Sequence, residues 1–179
     1  MKTFYIVSAV GKDRPGLVNR ITHVIHEQGG NIELQRSTWM AAEFALLLLY
    51  SNPEDHAGQL DALKALNGPN LYVNARSVLG GETERNDSAR GVQLTASGAD
   101  QPGIVDAVTL LLFREQINIE SMDYDTESAP MSGDELFRLK ARLTLPEGAD
   151  LKTLRSQLRE LEDEYNFDIL IEQEHGRAG

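Results

Sequence analysis

No cysteine occurs among the 179 residues. Disulfide staples and thiolate metal sites are therefore excluded, and a reducing compartment suits the chain. Basic residues are scarce too: 17 Lys and Arg stand against 28 Asp and Glu, a net charge of −11. The deficit is uneven, with 8 basic and 10 acidic residues in positions 1–88 but 9 and 18 in positions 89–179. Binding to duplex nucleic acid draws on Lys and Arg displacing counterions from phosphates, so this balance argues against direct nucleic-acid contact. Long apolar runs are missing. The longest, Phe44 to Leu49, falls far short of the roughly 20 residues that cross a bilayer. The N-terminus has a faintly leader-like start, but Lys12, Asp13 and Arg14 interrupt it before an apolar region and cleavage site can form. The expectation is a soluble cytoplasmic chain with no membrane partner.

What is present is a repeat, at an offset of 87 residues. Asp13-Arg14-Pro15-Gly16 returns as Asp100-Gln101-Pro102-Gly103, and Asn31-Ile32-Glu33 returns as Asn118-Ile119-Glu120. Between these motifs Leu17, Val18, Ile21, Val24 and Ile25 map onto Ile104, Val105, Val108, Leu111 and Leu112, all in register. Their spacing is that of a helix with one buried stripe. Ahead of each helix, Tyr5, Val7 and Ala9, then Val92, Leu94 and Ala96, show strand alternation, and Gly11 and Gly98 are expected to break those strands.

The pattern continues in each half with a second strand (about 31–40 and 118–126) and a third (about 43–51 and 136–145). A second helix follows, opened by Asn52-Pro53-Glu54 in one half and Glu147-Gly148-Ala149-Asp150 in the other. Leu60, Leu63 and Leu66 form one helix face; Leu151, Leu154, Leu158 and Leu161 form the other. Final strands are expected at 71–79 and 167–172. The order is βαββαβ twice: an α+β chain of two ferredoxin-like domains packed side by side, with antiparallel sheets. The expected divisions are 1–80, a linker at 81–89, 90–175 and a tail at 176–179. The second hairpin, Glu127 to Asp134, is longer than the first, which has only Ala41-Ala42.

A ferredoxin-like fold serves many functions, so the site must decide. The candidate is the turn from first strand to first helix, present twice. Pro15 and Pro102 suit a first helical turn, and Gly16 and Gly103 let another group approach the backbone. The amides of Gly16, Leu17, Gly103 and Ile104 lie at the positive end of a helix, which accepts a carboxylate. Asp13 and Asp100 stand beside them as acceptors for an ammonium group. Together these groups match an α-amino acid. Asp followed by Pro and a helix also reads as an ordinary N-cap; the duplicated glycine, which a cap does not need, favours the binding reading.

With these motifs the chain resembles the ACT domain family over nearly its whole length, as two copies. The resemblance implies that the turns at Asp13–Gly16 and Asp100–Gly103 contact an amino acid. It also implies that Asn31-Ile32 and Asn118-Ile119 open strands from which each asparagine reaches a ligand on the neighbouring domain. Among two-domain members it is most similar to the glycine cleavage system transcriptional repressor group, which implies glycine sensing and action on a DNA-binding activator. Arg14 against Gln101, and Gly29-Gly30 against Gln116-Ile117, indicate two inequivalent sites.

Other residues carry bland readings. His23, His26, His56 and His175 are scattered, and only His23 and His26 share helical spacing, without a third ligand. No nucleophile elbow, P-loop or dinucleotide fingerprint occurs. Trp39 and Phe44 read as packing residues, and Glu160, Glu162, Asp163 and Glu164 as a solvated helix end or a face for a basic partner. The expectation is a non-enzymatic amino-acid sensor with no cofactor and no metal, acting through a protein partner as a possible homo-oligomer. The alternatives are a trans-acting regulatory subunit of an amino-acid or one-carbon enzyme, and an RNA-binding module. The latter lacks the aromatic and basic sheet pattern it would need.

Overall fold

A computed structural model describes residues 2–53, 58–78, 90–129 and 133–173. The chain divides into two compact units, Met1–Glu84 and Arg85–Gly179. The first contains β1 (Thr3–Lys12), α1 (Leu17–Glu27), β2 (Asn31–Met40), β3 (Glu43–Asn52), α2 (Gln59–Lys64) and β4 (Leu71–Val78). The second contains β5 (Arg90–Ala99), α3 (Ile104–Arg114), β6 (Asn118–Ser128), β7 (Glu135–Leu145), α4 (Leu151–Tyr165) and β8 (Phe167–Gln173). Both sheets are antiparallel, in the orders β2-β3-β1-β4 and β6-β7-β5-β8, which gives the ferredoxin-like βαββαβ arrangement twice. The expected linker at 81–89 and tail at 176–179 lie outside the described residues.

Alternation along the strands decides which face each sheet buries. Tyr5, Val7 and Ala9 of β1 and Leu46, Leu48 and Tyr50 of β3 point at the helices, where Leu17, Ile21 and Ile25 of α1 and Leu63 of α2 close the core. In the second unit Val92, Leu94 and Ala96 meet Ile104, Val108 and Leu112 of α3 and Leu154 and Leu158 of α4. Each fully buried Leu or Ile contributes about 1.5–3 kcal/mol by leaving water.

The opposite faces have diverged. On the first sheet Val10, Leu47 and Tyr72 are exposed, with Val10 opposite Tyr72 on one side and Ala45 on the other. On the second sheet Asp123 faces Lys140 and Asp125 faces Arg138, a charged cross-strand ladder in place of an apolar surface.

Two expectations need correction. Gly11 and Gly98 do not break their strands but lie inside β1 and β5, where they pair with the first residues of β4 and β8. The chain entering the last strand runs so close that a Cβ on Gly98 would stand 2.6 Å from Phe167 Cβ. The second helix of the first unit does not open at Asn52-Pro53-Glu54. Asn52 is the last residue of β3, buried, with Nδ2 donating to the Gln28 carbonyl at 2.8 Å, and α2 starts only at Gln59. It is six residues long, stopped ahead of Asn67-Gly68-Pro69, whereas α4 runs for 15 residues from an Asp150 cap that accepts the Lys152 amide at 2.9 Å.

The first hairpin turns on Ala41 and Ala42 with φ of 51° and 64°, a left-handed pair that usually calls for Asn-Gly. Both alanines are exposed, so glycine there loses no packing. Ala42→Gly is expected to stabilise the first unit by about 1 kcal/mol, the cost of holding an L-residue in that region. Gly98→Ala is expected to destabilise the second unit by roughly 1–3 kcal/mol through overpacking. Urea unfolding of each variant measures both.

Candidate ligand site at the strand-to-helix turns

Both turns have one backbone design. Gly16 is the residue before α1 with φ of 89°, and Gly103 the residue before α3 with φ of 99°. Their carbonyls accept the first helical bonds, from Arg20 at 2.9 Å and Ala107 at 2.8 Å. Pro15 and Pro102 therefore precede the cap instead of occupying the first helical turn, and they set the approach to a left-handed glycine. The glycine has a conformational reason to be there, contrary to the expectation that a cap does not need it. Among the described residues no side chain caps either helix. The first-turn amides, which have no partner within a helix, thus remain uncovered by Asp13 or Asp100. Leu17 and Ile104 bury their side chains in the two cores and offer the turn only their backbone.

In the first unit the turn borders an open depression of about 470 Å³, lined by Asp13, Arg14, Gly16, Leu17, Asn19 and Phe44 among others. The Asp13 amide donates to the Ala42 carbonyl at 3.0 Å, which ties the turn to the hairpin. Among the described residues no side chain bonds to the Asp13 carboxylate. In the second unit the Asp100 amide donates to the Glu135 carbonyl at 2.7 Å in the same way, but the surroundings differ. Tyr124 donates its hydroxyl to Asp100 Oδ1, and Gln101 Nε2 donates to the Tyr165 carbonyl at 3.0 Å. Burial first, and the Asp100 carboxylate second, push the Tyr124 phenol up to about 12, so it stays a donor at neutral pH.

The asparagines occupy the far end of their own sheets. Asn31 pairs with Ser51, which pairs with Phe4 at the start of β1, while Lys12 at its end leads into the turn. The separation is roughly 26 Å at about 3.3 Å per residue. The structure therefore brings Asp13, Gly16 and Leu17 together and leaves Asn31 and Ile32 apart from them. Asn118 and Ile119 hold the same position in the second unit, where Asn118 pairs with Thr144.

The repeated Asn-Ile-Glu motif has a local use that sequence reasoning missed. Each edge strand carries a bulge after its isoleucine. Glu33 Oε1 accepts from Ser51 Oγ at 2.6 Å and from Asn31 Nδ2 at 3.3 Å, and Glu120 Oε1 accepts from Thr144 Oγ1. Ser51 and Thr144 hold matching places on the third strands, so a second offset of 93 residues would have revealed the pair. Trp39 is also corrected: it lies exposed on β2 beside Phe44 and is not a packing residue. His23 and His26 are exposed, His56 and His175 lie outside the described residues, and no metal-ligating cluster exists among the described residues. Of the acidic group on α4, Glu162 accepts the Ile169 amide at 2.6 Å, while Glu160, Asp163 and Glu164 are exposed.

Comparison with known proteins bears on the fold. Residues 3–67 match the model of the ACT domain. The match falls within the first unit, and the second unit repeats its topology, so the chain consists of two ferredoxin-like, ACT-type halves. It is 25% identical over 165 residues to the glycine cleavage system transcriptional repressors of Escherichia coli (strain K12) and Shigella flexneri, covering 91% of this chain and 86% of each relative. A crystal structure of an unknown protein from Galdieria sulphuraria is 27% identical, with a TM-score of 0.84 over 97% of this chain and 99% of that one. A structure provisionally assigned as a glycine cleavage system transcriptional repressor, 20% identical, has a TM-score of 0.64 over 97% and 98% of the two chains and supports the fold. Among the described residues no helix is long and apolar enough to cross a membrane.

The Glu33 carboxyl sits below the ordinary glutamate range, chiefly through the Ser51 hydroxyl and then the Asn31 amide. A depressed folded value means that the stabilisation is complete above the unfolded pKa and is lost as pH falls through the folded one. Glu33→Gln is therefore expected to lower the Tm of the first unit at neutral pH, with the gap to wild type closing under acid. A pH series of thermal melts checks this.

Proposed function

We propose that this protein is a non-enzymatic regulator that binds an amino acid at an ACT turn and reports its presence to a protein partner. The observation that carries the reading is the Gly16 turn. Uncapped first-turn amides face an open depression, and the Asp13 carboxylate stands beside it without a side-chain partner among the described residues. The amides suit the α-carboxylate of the ligand, and Asp13 suits its ammonium group. The relatives named as glycine cleavage repressors add the regulatory sense and make glycine a natural first candidate. With a net charge of −11, action through another protein is favoured over direct DNA contact. Asn31 cannot serve the turn of its own domain, so any part it takes in binding is at a turn elsewhere.

A ligand alters a regulator only by binding one of its states more tightly than another. Calorimetry with each of the twenty protein amino acids tests the reading, with fluorescence of Trp39, the sole tryptophan, as a second signal near the first turn. Binding of one or a few is expected, weakened about tenfold or more by Asp13→Asn, because a charge-assisted bond becomes a neutral one. Absence of binding by all twenty would remove the basis for the reading.

A further inference from the structure

Strand pairing sets the two turns in correspondence, residue by residue. Gly11 lies opposite Phe44 and Leu71, and Gly98 lies opposite Phe137 and Phe167, so Phe44 matches Phe137 and Leu71 matches Phe167. Ser37 pairs with Leu46 as Tyr124 pairs with Leu139, so the first domain has a serine hydroxyl where the second has a phenol. Two residues before Leu71 stands Pro69, and two before Phe167 stands Tyr165. With Arg14 for Gln101, three differences coincide around otherwise like turns.

All three act in one direction. In the second domain Tyr124 occupies the Asp100 carboxylate, and its ring stacks on Phe137 at 5.6 Å. Phe137 meets Phe167 edge-on at 5.5 Å, and Phe167 lies 6.4 Å from Tyr165. The Tyr165 hydroxyl is 3.8 Å from where a Cβ on Gly103 would sit, so it stands directly over the glycine that should admit a ligand. Gln101 then bonds to the Tyr165 carbonyl at 3.0 Å. The long α4 makes this possible, because its C-terminal residue reaches the end of the sheet that holds the turn. In the first domain α2 stops at Lys64, nothing lies within 4 Å of a Cβ on Gly16, and the depression remains open.

We infer that the second turn is closed by its own Tyr124, Gln101 and Tyr165, so that each chain binds a single amino acid, at the Asp13–Gly16 turn. The resemblance implies contact at both turns, in two inequivalent sites. The inference rests on the reading above and adds which copy is used. In the second domain the Asp100 carboxylate and the aromatic cluster support the turn instead of receiving a ligand. Arg14, where the closed turn has its latch glutamine, leaves a cation at the rim of the open one.

The test is the stoichiometry of the full chain, by calorimetry with whichever of the twenty amino acids binds, on wild type and on the near-isosteric pair Asp13→Asn and Asp100→Asn. The second substitution keeps an oxygen that can accept from Tyr124, which preserves the fold. One site per chain is expected, weakened about tenfold or more by Asp13→Asn and left unchanged by Asp100→Asn. Circular dichroism and Tm confirm that both variants are folded. Two sites per chain, or loss of binding through Asp100→Asn, would overturn the inference and leave the sensing reading intact. No binding of any amino acid to wild type would overturn both.

Discussion

A left-handed glycine at the end of the first strand governs what either domain can offer a ligand. At φ near 90° the backbone folds back sharply enough for the helix to start at once, with the glycine carbonyl already in the helical ladder. Among the described residues no side chain reaches over to satisfy the first-turn amides. The glycine thus serves the turn itself and, having no side chain, leaves the positive end of the helix without a cap. Each turn is anchored to the core of its own unit, because the residue after each glycine is buried there.

Much of this architecture could be read before the structure. The repeat fixed the strand and helix order, and β2 runs from Asn31 to Met40, as expected for the second strand. The buried stripe of α1 was legible from the 3.6-residue spacing, with Leu17, Ile21 and Ile25 as its innermost members. The errors share one cause: the meaning of a residue was set by a neighbour far away in sequence. Gly11 and Gly98 looked like strand breakers, yet each makes room for the chain entering the last strand. Asn52 looked like a helix opener, yet its amide is bonded to the Gln28 carbonyl.

The candidate site shows the same division. Asp13, Pro15 and Gly16 could be found because they are contiguous and duplicated. The residues that distinguish one turn from the other were hidden, since Tyr124 and Tyr165 come 24 and 65 residues after Asp100. Sequence contrast between Arg14 and Gln101 hinted at inequivalence without saying what caused it. The Asn-Ile-Glu motif has a use within the fold that its repetition did not disclose, because the glutamate bonds a hydroxyl on the next strand beside the bulge. Duplication preserves whatever the fold needs, and it does so whether or not a ligand is involved.

The glycine φ carries a consequence for reading other chains of this kind. A turn that has ceased to bind cannot readily discard its glycine, because an L-residue there strains the backbone in an empty pocket as much as in a filled one. The Asp-x-Pro-Gly signature can therefore persist for the sake of the backbone alone, and its copy number does not by itself count ligand sites. The positions that differ between the two turns are those of Ser37 and Pro69, where the second unit has Tyr124 bonded to Asp100 and Tyr165 beside Gly103.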